Sequence, residues 1–272
     1  MEQVQEVNGS LKIFKNFAQE KKLNIINAGI TSFSPSLMKL QYQILKKEFK
    51  IKPDIIVAYI DQTDIGDENC RYQKNKKIID GTLIGVKRES FSSKVYDYTK
   101  IYNYSKIHLD SRYPIKFFKL SNFKIQYFIK RTVNRFNEII DMGWYKRNNV
   151  KCRFQQIQKY LFQTEKSSEI IFKNSIEEYL HMLEDEVKIK KVFLVSFPHL
   201  NHLKKIYKVN VANFIEEVIK KNNFSKVSHI NFNDFQFSKF GINKIYIEGD
   251  PSSHLKDIFH EKIFSKTLVK NL

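Results

Sequence analysis

Four short stretches of the chain combine residues that can do chemistry, and each follows an apolar run. They are Asn27-Ala28-Gly29 through Ser34-Pro35, Asp61-Gln62-Thr63-Asp64 through Glu68, Phe197-Pro198-His199, and Asp250 to His254. A serine hydroxyl becomes a nucleophile when a histidine takes its proton and a carboxylate holds that histidine in the right tautomer. The oxyanion that then forms needs N–H or O–H donors aimed at it. The last stretch offers the carboxylate and the histidine, Asp250 and His254. Blander uses compete with each: His254 as a polar neighbour at a helix start, and Asp250 before Pro251 as a plain turn residue. His199-Leu200-Asn201-His202 presents two imidazoles, but no further ligand stands near, so a surface loop is the better reading than a metal site. Asp61, Asp64, Asp67 and Glu68 lack the spacing of a calcium loop and read as a solvated acidic loop that Arg71 neutralises. No metal and no cofactor is expected.

These stretches need elements to hold them. Apolar residues at helical spacing predict a helix over Ser10 to Lys21, with Ser10 as its N-cap, and a short strand over Leu23 to Ala28. Ser34-Pro35 opens the next helix as N-cap and first-turn proline. Asp54 to Ile60 is a continuous apolar run, the pattern of a parallel strand buried on both faces. Ile78 to Val86, with Asp80-Gly81 inside it, predicts a β-hairpin. Further on, helices over Ser168 to Glu186 and Val209 to Lys221 alternate with strands over Val192 to Phe197 and Val227 to Phe232. A short run, Ile245 to Ile247, and a closing helix follow. Helix alternating with buried strand predicts an α/β fold.

In open α/β sheets, ligands bind beyond the carboxyl ends of the strands, where the four stretches fall. Their order and spacing resemble the SGNH (GDSL-type) hydrolase superfamily. Asn27-Ala28-Gly29 with Ser34-Pro35 is similar to its glycine block. Lys52-Pro53-Asp54-Ile55-Ile56-Val57 followed by Asp61-Gln62-Thr63-Asp64 is similar to the segment leading into its Gly-x-Asn-Asp block. Asp250 to His254, with His260 in the helix beyond, is similar to its terminal Asp-x-x-His block. The resemblance covers about residues 10–64 and 168–268. It implies a flavodoxin-like three-layer sandwich with a mostly parallel sheet. It also implies an esterase or O-acyltransferase acting on carbohydrate or lipid esters without cofactor, often in the cell envelope. In that scheme Asp250 and His254 are catalytic, and Gly29 and Thr63 form the oxyanion hole. Asp61 and Thr63 stand where the family has Gly and Asn, and Asp250 and His254 are four apart instead of three. No Gly-Asp-Ser block is present, so the nucleophile is expected upstream of Met1, leaving this chain without turnover.

The whole chain, residues 1–272, reads as a single such domain with an insertion at about 90–165. That insertion is basic and aromatic, with Arg112, Lys116, Lys124, Arg131 and Arg135 among Tyr and Phe, and Phe117 to Met142 is expected to be helical. It suits a helical cover over the site or a surface for an anionic polymer. Across 272 residues, 47 Lys and Arg oppose 29 Asp and Glu, a net charge of +18, which favours anionic partners. The lysines are scattered, and Lys, Asn, Ile, Phe and Tyr are all abundant, as AT-rich codon usage alone produces. The alternative function is therefore a non-catalytic basic protein that binds nucleic acid or acidic polysaccharide. Cys70 and Cys152 are able to bridge but imply no disulfide framework. No apolar run reaches the ~18 residues of a membrane span.

Overall fold

The computed structural model describes residues 19, 22, 24–29, 33–86, 152, 154–232, 245–247 and 255–256. The helices expected over residues 10–21, over 117–142 and after 254 lie outside these residues or almost so, as do Ser10, Asp250, His254 and His260.

Helix α1 spans Pro35–Glu48 and strand β1 Ile55–Tyr59. A short helix α2, Asp64–Gly66, runs into a π-helical turn, Asp67–Tyr72, and a 3₁₀ turn, Gln73–Asn75. The hairpin pairs β2, Lys76–Ile79, with β3, Thr82–Val86, in antiparallel register. Next come α3, Phe154–Phe162, α4, Lys166–Glu184, and β4, Lys191–Ser196. The short α5, Leu200–Leu203, then α6, Val211–Asn222, and β5, Val227–Asn231, complete the order. β1, β4 and β5 form a parallel sheet in that spatial order. The result is a mixed α/β protein: a small three-stranded parallel sheet flanked by helices, with a separate hairpin.

Alternation along β4 explains why its sequence is continuously apolar. Val192 and Leu194 enter a cluster with Phe172, Ile176 and Leu180 of α4 and Phe214 and Ile215 of α6. Phe193 and Val195 point to the opposite face and pack with Ile230, Phe232, Ile245 and Tyr246. Successive side chains of a strand leave on opposite faces, so covering both faces demands an unbroken apolar run. A third cluster joins Leu37, Leu40 and Ile44 of α1 to Leu83 and Val86 of the hairpin. The hairpin turns at Asp80 (φ 48°) and Gly81 (φ 73°), two consecutive left-handed positions that match a two-residue turn.

One expectation is corrected. Residues 24–29 form no strand, and Ile25 and Ile26 are 45% and 59% exposed. Apolar, β-prone residues need a neighbouring strand to satisfy their backbone, and none of the described residues pairs with them. In the short run at 245–247, Tyr246 forms an antiparallel bridge with Leu255. The segment Phe154–Phe162, inside the stretch read as the basic insertion, is a helix whose Ile157 and Leu161 are fully buried.

Candidate functional site

Parallel pairing brings the loops after β1 and β4 together. Tyr59 is aligned with Val195, and the Ile60 amide donates to the Val195 carbonyl at 3.0 Å. The chains leave the sheet side by side, and Asp61 meets His199, with His199 Nε2 3.0 Å from Asp61 Oδ2. The other oxygen of Asp61, Oδ1, accepts both the Thr63 amide, at 2.8 Å, and the Thr63 hydroxyl, at 2.5 Å. The Asp61 amide donates to Asp64 Oδ2 at 2.9 Å. Gln62, fully buried, binds the two loops to α6: its Nε2 donates to the Phe197 carbonyl and to Asn210 Oδ1, and its Oε1 accepts the Val211 amide. Asn210 caps that helix through the Ala212 amide.

The acidic stretch is not solvated, contrary to expectation. Asp64, Asp67 and Glu68 are 3%, 2% and 0% exposed. α2 and the π-helical turn roll these side chains inward, where each meets a specific partner. Glu68 accepts the Ser34 hydroxyl at 2.5 Å and the Ser36 hydroxyl at 2.6 Å, and pairs with Lys76 at 2.5 Å. Asp67 pairs with Arg71 at 2.9 Å, the neutralisation the sequence suggests. Ser34 occupies the N-cap position of α1, but its side chain serves Glu68 and not the helix amides. Glu68 thereby ties the end of the glycine stretch to the loop after β1.

Burial and charge set these acids apart. Burial alone would raise Asp61, but the neighbouring His199 and hydrogen bonds from His199 and Thr63 outweigh it and hold the carboxyl well below its usual range. Asp64 is pushed well above that range by burial, reinforced by Asp61 and Asp67. Asp67 is pushed up to about 7, chiefly by burial, with Arg71 opposing and Asp61 and Glu68 adding. Adjacent carboxyls whose proton affinities are pushed in opposite directions are the arrangement from which acid–base pairs are made.

His199 and His202 do not form a surface loop either. His199 is fully buried, and its amide donates to His202 Nδ1 at 3.2 Å, while His202 Nε2 lies 2.8 Å from the Val209 carbonyl. Nδ1 accepting and Nε2–H donating define a neutral ring. Burial agrees, taking His202 down to about 4. With both nitrogens engaged, His202 has no lone pair for a metal. No group of three or more His, Cys, Asp or Glu is arranged to hold an ion among the described residues.

Of the four site residues expected from sequence, two are described. Thr63 stands at the carboxyl edge of the sheet, its amide and hydroxyl both directed to Asp61. Gly29 is exposed, its amide donates to Asn27 Oδ1 at 3.0 Å, and the neighbouring Ala28 carbonyl is held by Gln41 of α1. An oxyanion role for either requires those local bonds to be exchanged for bonds to substrate. The structure adds Asp61, Gln62, Glu68 and His199 as the residues that join the loops. Asp61, Glu68 and His199 were visible in sequence as polar groups, but only tertiary pairing gives them partners.

A serine–histidine–acid contact is centred on β5. His229 Nε2 is 2.8 Å from Ser196 Oγ, and His229 Nδ1 is 3.4 Å from Glu216 Oε1. Its polarity is inverted for catalysis. The acid is 53% exposed and the serine fully buried, so the hydroxyl is closed to substrate and the chain of contacts ties α6 to β5.

Comparison of the chain with protein-family models, with curated proteins and with solved structures finds no match in any of the three.

Proposed function

We propose that the chain carries the flavodoxin-like scaffold of an SGNH-type acyl-transfer enzyme, an esterase or O-acyltransferase acting on carbohydrate or lipid esters. The observation that supports this reading is the junction of the loops after β1 and β4. Asp61, Thr63 and His199 meet at the carboxyl edge of strands that run parallel and lie in chain order. In this scheme Asp250 and His254 activate the nucleophile, and Gly29 and Thr63 stabilise the oxyanion. Asp61, held ionised by His199, fixes the Thr63 loop. Of the serines next to this junction, Ser34 and Ser36 bond Glu68, and Ser196 is buried. The nucleophile belongs to residues outside those described.

The alternative, a non-catalytic basic protein for nucleic acid or acidic polysaccharide, draws on the net charge of +18 and on the engagement of both oxyanion donors. One assay separates the two. The chain as given, and the same reading frame extended upstream of the Met1 codon, are compared on p-nitrophenyl acetate and an acetylated oligosaccharide. Acyl transfer is expected in the extended chain, abolished by His254→Ala and cut ~100-fold or more by Thr63→Val. Turnover indifferent to both substitutions, or none in either chain alongside salt-sensitive polyanion binding, would favour the binding reading.

A further inference from the structure

The one covalent cross-link joins the turn that bears the buried acids to a helix far away in sequence. Cys70, in the π-helical turn Asp67–Tyr72, is bonded to Cys152, 82 positions on and just ahead of α3. The Cα–Cα distance of 5.6 Å is the ordinary span of such a bridge. A second contact reinforces it. Gly66 lies so close against α3 that a Cβ there would come within 2.5 Å of Ile157 Cγ2 and 2.6 Å of its carbonyl oxygen. The other end of α3 is held differently, since the Leu161 carbonyl accepts the amides of Lys208 and Val209 and the Leu161 side chain enters the main core. The bridge and the Gly66 contact thus both act at the amino-terminal half of α3, and the Leu161 contacts at its carboxyl-terminal end.

We infer that Cys70–Cys152 is an oxidation-dependent clasp that holds the amino-terminal half of α3 against the turn carrying Asp67 and Glu68, so that this seam is covalently closed only in an oxidising compartment. Disulfides persist in such compartments and are kept reduced where thiol reductants dominate. A dithiol reductant opens the clasp by thiol–disulfide exchange. Two electrons and two protons pass to the Cys70 and Cys152 sulfurs, giving two thiols, and the reductant closes to its own cyclic disulfide. With the bridge gone, the turn and the amino-terminal half of α3 lose their covalent tie, and the contact of Gly66 with Ile157 remains.

The native chain is tested with and without dithiothreitol. Without it, both cysteines should resist maleimide under denaturing conditions, and the intact mass should fall two hydrogens below that of the dithiol. Free thiols in protein made under oxidising conditions would overturn the proposal. With dithiothreitol, amide exchange should rise about tenfold or more over residues 64–72 and 154–158, leaving β4, α4 and α6 unchanged. Unchanged exchange at 64–72 would mean that the bridge holds nothing there. Exchange rising equally through β4, α4 and α6 would make it a general stabiliser and not a local clasp; either result overturns the proposal. Cys70→Ser with Cys152→Ser should reproduce the reduced pattern without reductant. If that variant fails to fold, the dithiothreitol arm on the native chain decides alone.

Discussion

Asp67 and His202 respond to pH in opposite senses within one acid window. A carboxyl whose folded pKa is raised, here to about 7 chiefly by burial, contributes fully below its unfolded value near 3.8 and loses that contribution as pH climbs through 7. A histidine depressed to about 4 by burial contributes above its unfolded value of 6.5 and loses that contribution as pH falls through 4. The two slopes oppose each other between those limits and flatten the native curve. Asp67→Asn should therefore be more stable than wild type by roughly 1–3 kcal/mol near pH 8, converging with it near pH 4. Urea midpoints across that range measure this, and parallel curves would show Asp67 ionised throughout. His202→Gln should do the reverse. It loses the acid-side decline, so its stability rises as pH falls from about 7 to about 4, where wild type stays nearly level.

At the scale of elements, two glycines separate crowding from backbone conformation. Gly66 has an ordinary helical backbone in α2, where alanine would by itself favour the helix by ~1 kcal/mol. The Ile157 backbone leaves no room for the added carbon, and relieving the overlap means moving α3. Gly66→Ala should cost about 2–3 kcal/mol net, read as a lowered denaturation midpoint. Gly81, at φ 73°, meets nothing within 4 Å, so Gly81→Ala strains only the turn and should cost about 1 kcal/mol. Equal penalties at the two positions would argue that α2 and α3 are not packed this closely.

For the whole molecule, the question is what lies beside β1. β4 is paired on both sides and β5 on one, while β1 pairs only with β4 among the described residues, and its Val57 is 37% exposed. Ile25 and Ile26, which the sequence marks for a strand, are exposed as well. Under the flavodoxin-like reading a further central strand belongs at that edge. Amide exchange along β1 tests this: protection matching that of β4 is expected where a strand covers the edge, and fast exchange at alternate β1 amides would mean that the edge is open.

The periodic elements were legible in sequence because they answer to local rules. β4 and α4 show their burial as apolar runs and helical spacing, the Asp80-Gly81 turn declares its own backbone conformation, and Ser34-Pro35 marks the start of α1. The carboxylates after β1 were visible too, but their state was not. Nothing local distinguishes a solvated acidic loop from one rolled inward: Asp67 finds Arg71 one turn away, but Glu68 owes its partners to Ser34 and Ser36, 34 and 32 positions back, and to Lys76 of the hairpin. Residues 24–29 fail in the converse way, because a strand exists only where another strand accepts its hydrogen bonds. Parallel register alone set Asp61 against His199, 138 positions apart, and the bridge from Cys70 to Cys152 likewise required α3 to come back to the turn before either sulfur had a partner.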